Sequence, residues 1–233
     1  MYFYSSEVRW FFSGTTNEGD PLHAWFTQPL TSYGIDPKAL LVFEDDRDKP
    51  RIDEYLILRH TKTVGTKLRG GKESSFEVKA QAGGPAPWSA VDRVNGCVDS
   101  WTKWSFKHET LTNALDPMRQ DGDWIRIGKD RWLRKMSVEG GKPSFVAAAD
   151  RPKTGCNFEL TRVFIDNDRT NPKQAWSTIC FEAFGPELDR TRVILDACAK
   201  LAFSDLGIPP KVELTERTSL SYPAWFATLG RGR

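Results

Sequence analysis

Apolar and polar residues alternate with a period of two along much of the chain, the pattern of half-buried β-strands. Between Tyr2 and Phe12 one parity carries Tyr2, Tyr4, Val8, Trp10 and Phe12, and the other carries Phe3, Ser5, Glu7, Arg9 and Phe11. A Gly/Thr/Asn loop over Ser13 to Asp20 follows, then a mixed segment to about Ala39. Leu40 to Glu44 is a short apolar run closed by an acidic turn at Asp45, Asp46 and Asp48. Tyr55 to Arg59 and Thr66 to Arg69 predict two strands, Gly70 and Gly71 a turn, and Ser75 to Gln81 a third strand. The stretch Gly83 to Pro87 (GGPAP) reads as a break, and Val98 to His108 as a Trp-rich extended segment. Trp124 to Ile127 and Arg131 to Glu139 predict a hairpin-like pair around Gly128, Lys129 and Asp130. Asn157 to Ile165 and Trp176 to Phe184 are the last strands, with a polar turn between them over Asp166 to Pro172.

The period then changes. Leu188, Val193, Ile194, Ala197, Cys198 and Leu201 have helical spacing, and Pro186 and Glu187 suit a helix start. Gly207, Pro209 and Pro210 end this helix, predicted over Leu188 to Ala202. A short helix is also predicted near Leu111 to Leu115, and the tail with Ser221, Tyr222, Trp225 and Phe226 is expected to dock on the body. Strand patterns continue on both sides of the GGPAP break, so residues 1–233 read as one domain. It is strand-rich over 1–185 and carries its helix and docked tail over 186–233.

Composition adds little to this picture but excludes several classes. With 39% hydrophobic and 27% charged residues the chain is globular, and its nine tryptophans and 14 phenylalanines favour strands. Net charge is only +2, from 33 basic and 31 acidic residues, with no polybasic run beyond Gly230 to Arg233. That balance argues against a nucleic-acid or anionic-membrane surface. No segment approaches the roughly 20 apolar residues a membrane span needs. The opening run MYFYSSEVRWFF holds Glu7 and Arg9 and reads as a strand rather than a signal peptide. Cys97, Cys156, Cys180 and Cys198 have no metal spacing, and reduced thiols in a cytoplasmic protein are expected. His23, His60 and His108 show no metal spacing either, and Ser221 lies in no nucleophile elbow.

The charges are what distinguish the strands. They recur two residues apart, and so on one face of a strand: Glu7 and Arg9, Lys67 and Arg69, Glu77 and Lys79, Lys129 and Arg131. The opposite parities hold Val8 and Trp10, Leu68, Phe76 and Val78, Leu160, Ile179 and Phe181. Two architectures satisfy this pattern. One is a sandwich with a solvated outer face. The other is a closed barrel with a polar interior, whose opposed charges persist only if paired, hydrated or neutralised by a ligand. A polyphosphate with divalent cations meets that need, because arginine and lysine take phosphate oxygens and carboxylates hold Mg²⁺.

The run IDEYLILRHTKTVGTKLRGGKESSFEVKAQ, Ile52 to Gln81, resembles the CYTH, or triphosphate tunnel metalloenzyme, superfamily. Tyr55, then Gly65 with Leu68 and Arg69, then Phe76 to Lys79 match its tyrosine strand, G-x-x-LR motif and lysine-ending strand. Ser5, Glu7 and Arg9 stand where the family opens with E-x-E-x-K; Lys129, Arg131 and Arg134 match a later basic strand. Asn157 to Val163 and Trp176 to Gly185 match its acidic closing strands. The resemblance implies a mainly β fold, an antiparallel eight-stranded β-tunnel with a few flanking helices. It implies a triphosphate-containing small molecule or inorganic triphosphate as substrate, hydrolysed with Mg²⁺ or Mn²⁺. Known members hydrolyse inorganic triphosphate, thiamine triphosphate or RNA 5′-triphosphates, or cyclise ATP.

Carried over residue by residue, Arg9, Lys67, Arg69, Lys79, Lys129, Arg131 and Arg134 would bind phosphate. Glu7, Glu159 and Glu182 would hold the metal, with Glu77 as a further carboxylate and Glu7 and Glu182 serving catalysis. The departures are Ser5 for the first acid, Arg9 for lysine, and Cys180 where a second closing acid is expected. They leave an alternative: a catalytically impaired tunnel that binds a phosphorylated or polyanionic ligand without turning it over. An unrelated β domain with solvent-facing charges is the third reading.

Overall fold

The structure, a computed structural model, describes residues 3–14, 17, 19–44, 51–58, 60–69, 75–106, 123–166, 168, 171 and 175–229. Its strands are β1 (Phe3–Ser13), β2 (Val42–Glu44), β3 (Arg51–Leu56), β4 (Val64–Arg69), β5 (Ser75–Val91) and β6 (Val94–Phe106). They continue as β7 (Trp124–Ser137), β8 (Ser144–Val146), β9 (Gly155–Ile165) and β10 (Ala175–Gly185). The helices are α1 (Pro21–Thr27), α2 (Leu188–Leu206) and α3 (Tyr222–Leu229). The order β7-β3-β4-β5-β6-β1-β10-β9 returns to β7 through a β7–β9 ladder, so eight antiparallel strands close into a barrel. The short β2 and β8 pair with the outer reach of β7. The closed barrel, and not the sandwich, is therefore the architecture.

Two expectations about strands are corrected. Trp124 to Ser137 is one continuous strand rather than a hairpin, because Gly128 lies opposite both Ile52 and Phe164. A turn there would break two ladders at once. The GGPAP stretch does not break the chain either; β5 runs through it with register shifts between Gln81 and Gly83, Gly83 and Ala86, and Ser89 and Val91. Beyond Ala80 the ladder with β4 ends. Pro85 and Pro87 thus lie beyond the β4 ladder, and a strand edge without a ladder tolerates a missing N–H. The predicted short helix near Leu111, the Asp45–Asp48 turn and the Gly70–Gly71 turn lie outside the described residues.

The main apolar core lies outside the barrel wall, under the helices. Val8, Trp10, Trp132, Phe158, Leu160, Ile179 and Phe181 face outward and pack with α1 and α2. From α2 the face Ile194, Leu195, Cys198, Ala199, Ala202, Phe203 and Leu206 is buried, and each large side chain there contributes about 1.5–3 kcal/mol. Gly207, at φ 72°, ends α2 and donates its N–H to the Phe203 carbonyl. The helix thus runs one turn beyond the predicted Ala202.

The tail completes the wall. β6 pairs with β1 only over Phe3–Glu7 and then diverges. Ser219 bridges to Trp10, and the Leu220 N–H donates to the Arg9 carbonyl at 2.9 Å. The Ser219 hydroxyl accepts from the Cys97 N–H at 2.9 Å, which ties the tail to β6 on its other side. The segment then turns into α3, where the Ser221 hydroxyl accepts from the Ala224 N–H. Tyr222, Trp225 and Phe226 of α3 join inward-facing Phe11, Tyr55, Ile127, Val163 and Ile165 in a second apolar cluster.

Candidate functional site

The inward parity of the strands lines a cavity of about 590 Å³. An eight-stranded barrel has room for side chains and one small ligand, and this volume is within the usual range for ligand pockets. Arg9 from β1, Lys67 and Arg69 from β4, Lys79 from β5, Lys103 from β6, and Lys129 and Arg131 from β7 line it. Glu7, Glu44, Glu77, Glu159 and Glu182 line it as well. Ten of the sequence-derived site residues therefore come together: Glu7, Arg9, Lys67, Arg69, Glu77, Lys79, Lys129, Arg131, Glu159 and Glu182.

Arg134 does not join them, and its expected role in phosphate binding is corrected. It follows Arg131 by three residues, an odd step, which turns it to the other face of β7. There it is 1% exposed, and its Nε and Nη2 donate to the Phe26 carbonyl while Nη2 also donates to the Gln28 carbonyl. It caps the C-terminal end of α1. Burial lowers its pKa to about 10.

Inside the barrel the charges form connected pairs. The Arg9 Nε donates to Glu7 Oε1 at 2.9 Å, its Nη1 to the Thr178 hydroxyl at 3.1 Å, and its Nη2 to Glu159 Oε2 at 3.4 Å. Arg131 bridges Glu159 and Glu44. The Lys129 ammonium lies 3.0 Å from Asp53 and also meets the Tyr55 hydroxyl. Glu77 receives three cations: Lys67 at 3.1 Å, Arg69 at 3.3 Å and Lys103 at 3.3 Å. Burial alone would raise the Glu77 carboxyl, but Lys67, Lys103 and Arg69 outweigh it and hold it down at about 2. Glu7 is likewise held at about 2, because Lys79 and Arg9 overcome its burial.

Two acids differ. Asp99 faces Glu7 across the β1–β6 ladder, and its carboxyl is raised to about 6, first by burial and then by the Glu7 charge. Glu182 faces Glu7 on the other side, in the β1–β10 ladder, and makes no hydrogen bond or ion pair among the described residues. Cys180, in the place of a second acid, is buried beside Arg9, and burial pushes its thiol well above the ordinary range. All four cysteines are unpaired.

The Glu7 and Glu159 oxygens are committed to Arg9, Lys79 and Arg131. No group of three or more His, Cys, Asp or Glu side chains converges on a point among the described residues. As arranged, Glu7, Glu159 and Glu182 do not fit a divalent ion held by all three. His23 packs edge-on against Trp132 at 4.9 Å on the outer face.

Several residues of the barrel interior were not among the sequence-derived site residues. Asp99, Trp101 and Lys103 share one parity of β6, and that spacing was the available signal. Trp101, 1% exposed, carries the Lys79 ammonium 4.2 Å from its ring centroid. Asp53 stands two residues from Arg51 and from Tyr55, the same kind of spacing, whereas Tyr222 lies in a non-periodic tail with no such signal. Among the described residues, no helix is long and apolar enough to cross a membrane. Comparison with protein-family models gives no match, and comparison with curated proteins gives no relative.

Proposed function

We propose that the protein binds a phosphorylated or polyphosphate ligand inside its barrel. The observation that carries this reading is the convergence of Lys67, Arg69 and Lys103 on the single carboxylate of Glu77 in the cavity wall. The Arg69 Nε is buried with no partner among the described residues. An anion entering there supplies negative charge to the cluster and an acceptor to that donor. The CYTH resemblance points to the same ligand class, although a closed barrel by itself assigns no family.

Hydrolysis is the second reading, and Glu182 favours it: a carboxylate on the cavity wall without a hydrogen bond or ion pair among the described residues. One experiment separates the two. Tripolyphosphate binding is measured by calorimetry, and phosphate release is followed with Mg²⁺ or Mn²⁺ in the same samples. Binding without release, weakened about tenfold or more by Arg69→Ala, is the expected result. Metal-dependent release that Glu182→Gln abolishes would replace it with the hydrolase reading. Absence of both binding and release would sink the anion-site proposal.

A further inference from the structure

Three hydroxyls on the cavity wall are buried without a hydrogen-bond partner among the described residues, Thr66 on β4 and two beside the Arg9 cluster. Thr161 on β9 is 2% exposed and Tyr222 at the start of α3 is 6% exposed. Both line the cavity, and the oxygen of each has no hydrogen-bond partner among the described residues. A buried hydroxyl without a partner costs free energy, so a site that keeps two of them has an acceptor or donor still to come.

Their neighbours are cationic. Thr161 lies opposite Arg131 in the β7–β9 ladder and opposite Thr178 in the β9–β10 ladder, and the Thr178 hydroxyl already accepts from Arg9. The Tyr222 ring has the Arg9 guanidinium at 5.0 Å and the Lys129 ammonium at 4.3 Å from its centroid, and it stacks on Tyr55 at 5.4 Å. These contacts fix the ring. Burial raises the Tyr222 hydroxyl above its ordinary pKa, so it keeps its proton and remains a donor.

We infer that Thr161 and Tyr222 donate hydrogen bonds to oxygens of the bound phosphoryl group beside Arg9, Lys129 and Arg131. The C-terminal segment then forms part of the ligand site as well as part of the barrel wall. This rests on the anion-binding reading above and adds to it a division of labour. The cations supply charge, and the two neutral hydroxyls set the position of the anion without adding charge that would need a counter-ion when the site is empty.

The test uses the full chain with tripolyphosphate as probe, comparing wild type with Tyr222→Phe, Thr161→Val and Arg69→Ala. Tyr222→Phe keeps the ring, its stacking and its cation contacts; Thr161→Val keeps the shape of the side chain. Each is expected to weaken binding about tenfold or more, the effect of one hydrogen bond to a charged group, with an unchanged or slightly higher melting temperature without ligand. If wild type binds and Arg69→Ala weakens it, but both hydroxyl variants bind within twofold of wild type, the inference is overturned and the anion-binding reading stands. If wild type does not bind, both fall together.

Discussion

Asp99 stands directly across the β1–β6 ladder from Glu7, and opposed like charges in a sheet are unfavourable. The two acids respond differently because Lys79 and Arg9 serve Glu7, whereas Asp99 accepts from the neutral Gln81 side chain. With its carboxyl raised to about 6, folded Asp99 holds its proton more tightly than an unfolded aspartate. Its contribution to stability is therefore complete below about pH 4 and is lost as pH rises through 6. Asp99→Asn mimics the protonated acid and is expected to stabilise the fold at pH 7.5 by on the order of 2 kcal/mol. It should do nothing at pH 4. Urea unfolding at the two pH values checks this, and an equal change at both would contradict it.

At the scale of elements, the barrel depends on a tight approach where β9 begins. A Cβ on Gly155 would lie 2.1 Å from the Met136 carbonyl oxygen, inside the ladder that closes the ring. Backbone cannot move aside there without opening the β7–β9 pairing. Gly155→Ala is expected to cost about 3 kcal/mol, as for an overpacked core position, and to lower the thermal midpoint accordingly. A midpoint within 1 °C of wild type, roughly a negligible energy for a domain this size, would rule this out. The same ladder shows what was legible beforehand. Parity found Glu7, Arg9, Lys67, Arg69, Glu77 and Lys79 because β1, β4 and the first half of β5 run without bulges through them. Arg134 was carried over from the family resemblance alone, and parity sets it on the other face of β7 from Arg131. Local pattern failed at Gly128 to Asp130, because turn chemistry is local whereas two neighbouring ladders hold that segment straight. The helix α1 was missed because its seven residues are too few for a period to show, despite Pro21 at its start. The tail was expected to dock, but its place between β1 and β6 depends on where β6 leaves β1, a long-range event no local pattern records.

For the whole molecule, the interior charges set a response to acid of both signs. Glu7 and Glu77 sit at about 2, below the ordinary 4.5, so the stability they contribute is present above about pH 4.5 and lost as pH falls toward 2. Asp99 acts in the opposite sense between 6 and about 4. Lowering the pH from 7 is expected first to raise the urea midpoint and then, below about 4.5, to lower it steeply. A flat profile from 4.5 to 2 would show that the Glu7 and Glu77 pairs contribute nothing to the fold.

The closure of the ring also governs when this protein can fold. Glu7 finds Glu182 and Trp10 finds Ser219, so the earliest described strand waits for nearly the latest segments to be synthesised. Such distant pairings carry a large loop-closure cost, and folding in milliseconds to seconds, rather than microseconds, follows from that topology. While the ribosome is still making β10, β1 has an open edge and an apolar row of Val8 and Trp10 uncovered. During that interval the nascent chain exposes an edge prone to wrong pairing, and a translation product cut short before Ala175 keeps that edge permanently.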